Sequence, residues 1–312
     1  MNSKLEGENT MLMMQLKNGA DIPSIIFGPD ELGYSPRRKS SKSRIVRAVK
    51  KIKRNTFDEW EYINQVSNGI KAGFHSIDFS AAYGDGVLIS KAIRKSGIDR
   101  DKIFLITRIS NKAQFSGGGA IETEIMSQLK GFNTNYVDML MFHWPVTEHY
   151  EDTWKRMIKM REKGVCKYLG VANCHEHHLQ KLYKYSGEYP LVNQVELHPL
   201  FTQMPLKKYC DEHEIQVMAY SPTARHDDRL FNPPLLNDIA KKYEKTPTQI
   251  ILRWHIQNGI IPVIRSLNYV HQREDIAIYD FEISKSDMQL INSININSRI
   301  RYDPDNCDFY AL

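Results

Sequence analysis

The chain has 312 residues, 41% of them hydrophobic and 25% charged, a globular composition with ample length to bury a large core. No run approaches the roughly 18 apolar residues of a membrane span, and Met11-Leu12-Met13-Met14 is too short for a signal-peptide core, so a cytoplasmic protein is expected. The net charge of +5 conceals an asymmetry: Arg37 to Arg54 holds ten Lys or Arg and no acid, while the remainder holds 32 basic against 37 acidic residues. The positive charge is thus one segment's property rather than a basic surface built for nucleic acid, and without a reading motif or a stacking platform such binding is not expected.

In chain order, Leu12 to Leu16, then Lys17-Asn18-Gly19, then Ile22 to Ile26 reads as a β-hairpin on an Asn-Gly turn, placed to plug the lower end of a barrel. Eight short apolar runs then recur: Ser24 to Phe27, Phe74 to Asp78, Ile103 to Thr107, Val137 to Phe142, Tyr168 to Val171, Leu191 to Glu196, Gln216 to Tyr220 and Ile260 to Ile264. Helix-period segments lie between them. Asp152 to Lys163 carries Trp154, Met157, Ile158 and Met160 as a stripe, and Pro247 to Gln257 has Thr246 as N-cap with Pro247 at the first helical position. Eight alternating units predict a closed parallel (β/α)₈ TIM barrel rather than an open doubly wound sheet. No linker or composition shift divides the chain, so one domain spanning 1–312 is expected.

Between the first and second strands the basic stretch makes an insertion, about 36–55. Ile45, Ala48, Val49 and Ile52 fall on one helical face there, which predicts a basic amphipathic helix ending before Thr56-Phe57-Asp58-Glu59, a capping-box pattern that opens the next helix. Leaving the first strand at its C-terminal end, the insertion belongs to the catalytic side of a barrel. It serves either as a solvated surface or as a collector of an anionic substrate, such as a phosphorylated, nucleotide-linked or carrier-bound compound. The four cysteines Cys166, Cys174, Cys210 and Cys307 form no CxxC pair, which argues against a zinc site or a disulfide framework, and no metal is expected.

Active sites of parallel barrels lie where strand C-termini and the following loops meet. Those positions are unusually polar here. The second strand ends at Asp78 with Tyr83 five residues on, and the next strands lead to Arg108, His143, Asn173, Gln194 with Glu196, Tyr220, and Arg265-Ser266. A phenol near pKa 10 is a poor acid at neutral pH, but a fixed cation and an imidazole beside it favour phenolate and ease proton donation. Taken singly, each residue also fits a structural role: Asp78 as a helix cap, Tyr83 as a half-buried aromatic, His143 as a satisfied core histidine.

The stretch Gly73-Phe74-His75-Ser76-Ile77-Asp78-Phe79-Ser80-Ala81-Ala82-Tyr83-Gly84 resembles the second-strand signature of the aldo-keto reductases. Met141-Phe142-His143-Trp144-Pro145, Gly170-Val171-Ala172-Asn173-Cys174, Asn193-Gln194-Val195-Glu196-Leu197-His198-Pro199, Ala219-Tyr220-Ser221-Pro222 and Ile264-Arg265-Ser266 continue the match in order. The resemblance runs from the hairpin to Asp303-Pro304-Asp305. It implies NAD(P)H-dependent reduction of an aldehyde or ketone, with Tyr83 as general acid, His143 orienting the carbonyl oxygen and Asp78 as the acid partner. Where the family has lysine this chain has Arg108, which keeps the charge on a larger planar fork and is not a conservative change.

The resemblance further implies Tyr220, followed by Ser221, stacked on the nicotinamide, with Asn173 and Gln194 holding its carboxamide. Ala172 replaces a family serine, at a cost of about 0.5–1.5 kcal/mol for the missing hydrogen bond. Arg265, Ser266, His271, Glu274 and Asp275 fall where the family binds the adenosine half, and Arg265 favours NADPH over NADH. A competing reading takes Arg108, Ala172 and Cys174 as signs of a weakly active NADP(H)-binding barrel acting as a redox sensor or regulatory subunit. The loops that set specificity in the family correspond to Pro29–Asn55, Val146–Glu151 and Thr223–Asn237, and Pro29-Asp30 in place of an aromatic wall favours a polar substrate.

Overall fold

The computed structural model describes residues 13–16, 19–29, 44–81, 85–266 and 268–311, with the helix backbone alone over 44–56. Strands β1 (Met13–Gln15) and β2 (Asp21–Pro23) pair antiparallel with Met14 opposite Ile22. The hairpin closes between Leu16 and Ala20: Leu16 N–H donates to the Ala20 carbonyl at 2.8 Å and Gly19 N–H to the Leu16 carbonyl at 2.9 Å. Gly19 has φ of 82°, a left-handed position that suits glycine. The expected second arm, Ile22 to Ile26, is broken. After Pro23, which has no N–H to give a ladder, the chain bends through Ser24 and Ile25, and the first barrel strand is only β3 (Ile26–Phe27).

The remaining barrel strands are β4 (Ser76–Asp78), β5 (Phe104–Ile109), β6 (Val137–Phe142), β7 (Cys166–Ala172), β8 (Val192–Glu196), β9 (Gln216–Tyr220) and β10 (Ile261–Ile264). All eight predicted strands are present. They form one parallel sheet in the order β3-β10-β9-β8-β7-β6-β5-β4, a nearly closed barrel. At the seam between β3 and β4, the Ser76 hydroxyl donates to the Ile25 carbonyl at 3.1 Å. Leu16 and Ile22 of the hairpin bury against interior residues at the strand starts, including Phe104, Val192 and Ile261, so the hairpin stoppers the N-terminal end as expected.

Around the sheet run α1 (Arg44–Ala72), α2 (Gly86–Ser96), α3 (Asn111–Ser116), α4 (Ala120–Phe132), α5 (Tyr150–Glu162), α6 (Glu176–Ser186), α7 (Met204–Glu212), α8 (Asp228–Phe231), α9 (Pro234–Lys242), α10 (Pro247–Gln257), α11 (Tyr269–Ile276) and α12 (Lys285–Asn292). The segment Pro247–Gln257 forms as predicted. The Thr246 hydroxyl accepts from Gln249 N–H at 3.2 Å while Thr246 N–H donates back to the Gln249 amide oxygen at 3.0 Å.

The expectation of two helices around Thr56 is wrong: α1 is one helix of 29 residues running through Thr56-Phe57-Asp58-Glu59. No glycine or proline interrupts Arg44 to Asn68. Once a helix is nucleated, extending it through a capping-type sequence is easier than stopping and nucleating again. Residues 37–43 of the basic stretch lie outside the described residues. Near its C-terminal end α1 comes so close to the barrel that a Cβ on Gly69 would stand 3.1 Å from the Phe27 ring. Among the described residues no helix is long and apolar enough to cross a membrane.

Candidate active site

The parallel strands bring the predicted polar residues to one rim. Asp78 is the last residue of β4, and Arg108 sits near the end of the neighbouring β5. Both are buried. Arg108 Nε donates to Asp78 Oδ1 at 3.2 Å and its Nη2 to Asp78 Oδ2, a two-point pairing that the guanidinium fork makes possible. Gln194 of β8 joins them from across the barrel: its Oε1 accepts from Arg108 Nη2 at 2.7 Å and its Nε2 donates to Asp78 Oδ2 at 3.1 Å. The Arg108 backbone is held in turn by Gln128, whose Nε2 donates to the Arg108 carbonyl at 3.1 Å while its Oε1 accepts from the Thr107 hydroxyl. Gln194, expected at a carboxamide, thus engages the ion pair with both ends of its amide.

A second set lies on the adjoining strand ends. His143 follows β6, with its N–H on the Ile109 carbonyl at 3.1 Å. Burial, with Arg108 and Arg301 nearby, pushes the His143 imidazole down to about 3, so the ring is neutral at physiological pH and interacts through hydrogen bonds rather than charge. Asn173 follows β7 with φ of 60°, a left-handed conformation that asparagine tolerates better than most residues. Its N–H donates to the Gln194 carbonyl at 2.8 Å and its Nδ2 to the His143 carbonyl at 2.9 Å. The Tyr220 hydroxyl at the end of β9 donates to Asn173 Oδ1 at 2.8 Å, and Ser221 follows with φ of 50°. Tyr83 lies outside the described residues.

The remaining predicted residues form a separate group after β10. Ser266 is buried and its carbonyl accepts from Gln65 and Gln272, at 3.2 and 3.1 Å, while Arg265 is exposed. His271 Nδ1 stands 3.1 Å from Glu274 Oε2 on the exposed side of α11. Asp275 is buried there, and burial pushes its carboxyl up to about 7 despite His271 and the Ser266 hydroxyl, which favour ionisation. Cys174 does not reach the rim. It is fully buried between barrel and helices, where burial pushes its thiol far above the usual range, so it is unsuited to sensing redox state.

The sequence reading did not anticipate how the tail crosses this rim. Glu196, the last residue of β8, accepts from Ile300 N–H at 2.6 Å and Arg301 N–H at 2.8 Å, with His198 Nε2 at 3.0 Å. Farther on, the Phe309 carbonyl accepts from Asn111 Nδ2 at 3.1 Å and Tyr310 stacks on Phe115 with ring centroids 3.8 Å apart. Glu196 was legible as a polar strand end; its partners in the tail, over a hundred positions away, were not.

A parallel barrel whose C-terminal rim joins a buried acid–arginine pair, a neutral imidazole and a half-buried tyrosine defines a class of protein built to polarise a polar group at the barrel mouth. The family model described as Aldo/keto reductase family matches residues 50–296. The chain belongs to the aldo-keto reductase family and is an NAD(P)H-dependent carbonyl reductase by class. It is 35% identical over 250 residues to the 9,11-endoperoxide prostaglandin H2 reductase of Trypanosoma cruzi (strain CL Brener), covering 80% of this chain and 88% of that protein. It is 33% identical over 247 residues to methylglyoxal reductase DkgA of Escherichia coli (strain K12), covering 78% and 88%. The crystal structure of a Bombyx mori aldo-keto reductase in complex with NADP superposes with a TM-score of 0.78 at 28% identity, over 94% of this chain and 96% of that one.

Proposed function

We propose that this chain, as a single-domain enzyme, reduces small reactive aldehydes and ketones with NADPH, Tyr83 acting as the proton donor. The observation that carries the reading is the convergence of the Asp78–Arg108 pair and neutral His143 on adjacent strand ends, beside the motif in which Tyr83 follows Asp78 by five residues. The methylglyoxal reductase of E. coli supports a small dicarbonyl as first substrate.

The residues present fit a dinucleotide. Tyr220 offers a half-buried ring at the rim, and Arg265 is an exposed cation beside buried Ser266 at the start of the α11 region. We assign Tyr220, Ser221, Asn173 and Gln194 to the nicotinamide half and Arg265, Ser266, His271, Glu274 and Asp275 to the adenosine half. A bound dihydronicotinamide supplies a hydride. In this reading Tyr83 gives its proton to the carbonyl oxygen and Arg108 supplies the cation that favours phenolate, while His143, being neutral, can donate a hydrogen bond to that oxygen without competing as an acid. Asp78 and Gln194 hold the guanidinium in place. The basic segment 37–54 steers anionic substrates towards the mouth, and its effect weakens with ionic strength.

NADPH oxidation with methylglyoxal tests the reading. Tyr83→Phe should lower kcat by about 10² to 10⁴-fold with NADPH binding retained; an unchanged rate overturns the assignment. Arg108→Lys separates this reading from the regulatory one. A faster variant means that the guanidinium slows a working enzyme, whereas tight NADPH binding with no turnover in either protein favours a regulatory barrel.

A further inference from the structure

Away from the hydride chemistry, α6 opens with His175-Glu176-His177-His178, and the C-terminal tail lays Asp305 across these three imidazoles. His175 Nδ1 lies 2.8 Å from Asp305 Oδ2; His177 Nε2 and His178 Nε2 lie 3.2 and 3.6 Å from Asp305 Oδ1. One donor atom from each of the four falls within 4.8 Å of all the others, the one such cluster among the described residues. A helix N-terminus needs far less. Its capping contact is already made, because His178 Nδ1 accepts from the His175 N–H at 3.1 Å.

That contact also divides the labour within the cluster. With Nδ1 accepting, neutral His178 carries its proton on Nε2, so it can only donate towards Asp305. His175 and His177 face outward, lining an open groove of about 490 Å³ shared with Gln180, Phe201, Gln203 and Leu206. Ligand atoms at a tetrahedral zinc stand about 3.3 Å apart, given metal–nitrogen and metal–oxygen distances of about 2.0–2.1 Å. His175 lies 2.8 Å from one oxygen of the carboxylate and His177 3.2 Å from the other, so small shifts within a cluster already no more than 4.8 Å across bring the ligand atoms to that spacing. An imidazole-rich set with one carboxylate suits zinc and its neighbours, not magnesium or calcium, which require oxygen ligands.

We propose that His175, His177 and Asp305 bind a divalent ion of the zinc type, with His178 Nε2 3.6 Å from the carboxylate on its inner side and the fourth position open to the groove, and that the ion fastens the tail to α6. Ligation at His175 Nδ1 places the proton on Nε2, so the Arg299 Nη2 contact there, 3.3 Å, is given up. The attachment falls between two others, the Glu196 clip on residues 300–301 and the Asn111 and Phe115 contacts to 309–310, and so completes the fixing of the segment that carries Arg301 past His143.

The test uses the untagged, chelator-stripped full chain titrated with zinc by calorimetry, beside His177→Ala and Asp305→Asn. His177 is 58% exposed, so its variant keeps the fold. The expected result is one ion per chain, weakened about tenfold or more in each variant, no comparable binding of magnesium, and slower hydrogen exchange over 299–310 when zinc is added. Cobalt should give visible ligand-field bands without thiolate charge transfer. Absence of zinc binding at millimolar concentration, affinity unchanged in both variants, or a thiolate band revealing Cys307 as a ligand would each overturn the site.

Discussion

Asp78 and Glu196 end two strands of the same barrel, and both are buried carboxylates, yet they are satisfied in different ways. Asp78 is held by side chains rooted in the barrel itself, the Arg108 fork and the Gln194 amide. Glu196 is held by two backbone N–H groups of the tail, Ile300 and Arg301, together with His198. Burial pushes the Glu196 carboxyl up, but His198 and the two amide donors outweigh it and hold it below the usual glutamate range. One carboxylate therefore stiffens the catalytic rim from within, while the other makes the rim a mooring for chain that arrives last. The difference teaches that burial alone does not assign a role: the partners' place in the sequence decides whether a buried acid serves the barrel or the segment that covers it.

The comparison can be broken most severely at Arg108. Arg108→Met leaves Asp78 with an uncompensated buried charge and should destabilise the fold by about 3–5 kcal/mol in urea unfolding. Asp78→Leu combined with Arg108→Met removes both charges and should recover most of that loss, although not catalysis. If the double variant is as unstable as the single one, packing and not charge pairing is what Arg108 contributes.

Glu196→Gln strikes the mooring instead. The amide keeps the shape but cannot accept from both tail N–H groups with the same strength, at a cost of about 1–3 kcal/mol. The barrel should remain folded while residues 299–310 become protease-sensitive. In the wild type the same release should be driven by acid: the stability due to Glu196 is fully present above the usual value of 4.5 and is lost as pH falls through its lower folded value. A tail equally protected in wild type and variant would remove Glu196 from this role.

Much of the barrel is legible in the sequence, because each strand announces itself by a short apolar run and each rim residue stands at a fixed offset from it. Val137–Phe142 and Gln216–Tyr220 coincide with their predicted limits, and the Thr246 cap does as well. The departures have identifiable reasons. The Thr56 boundary rests on a local capping pattern that helix continuity overrides, and the predicted first strand includes Ser24 and Ile25, where the chain instead bends as it passes from the hairpin strand β2 into the barrel strand β3. The Gln194–Arg108 contact, the Glu196 clip and the His175–Asp305 cluster join residues 86 to 130 positions apart, and no periodicity encodes such pairings. The His-x-His-His spacing at the start of α6 is the one available signal of the cluster.

Asp275 supplies the third and mildest test, a buried carboxylate held, among the described residues, by the Ser266 hydroxyl rather than by an arginine fork or a pair of amide donors. Burial pushes it up to about 7 from an ordinary value of 3.8. Between these two values the folded chain keeps a proton that the unfolded chain has released, so raising the pH favours unfolding; the stability associated with the protonated group is complete below 3.8 and is lost as pH rises through about 7. One group can contribute a slope of at most about 1.4 kcal/mol per pH unit. Asp275→Asn keeps a neutral side chain at every pH and should flatten this part of the stability profile, leaving the Glu196-dependent loss in acid untouched. Denaturant melts at several pH values would show it. Parallel wild-type and variant profiles would mean that Asp275 finds donors as effective as those of Glu196 and ionises normally.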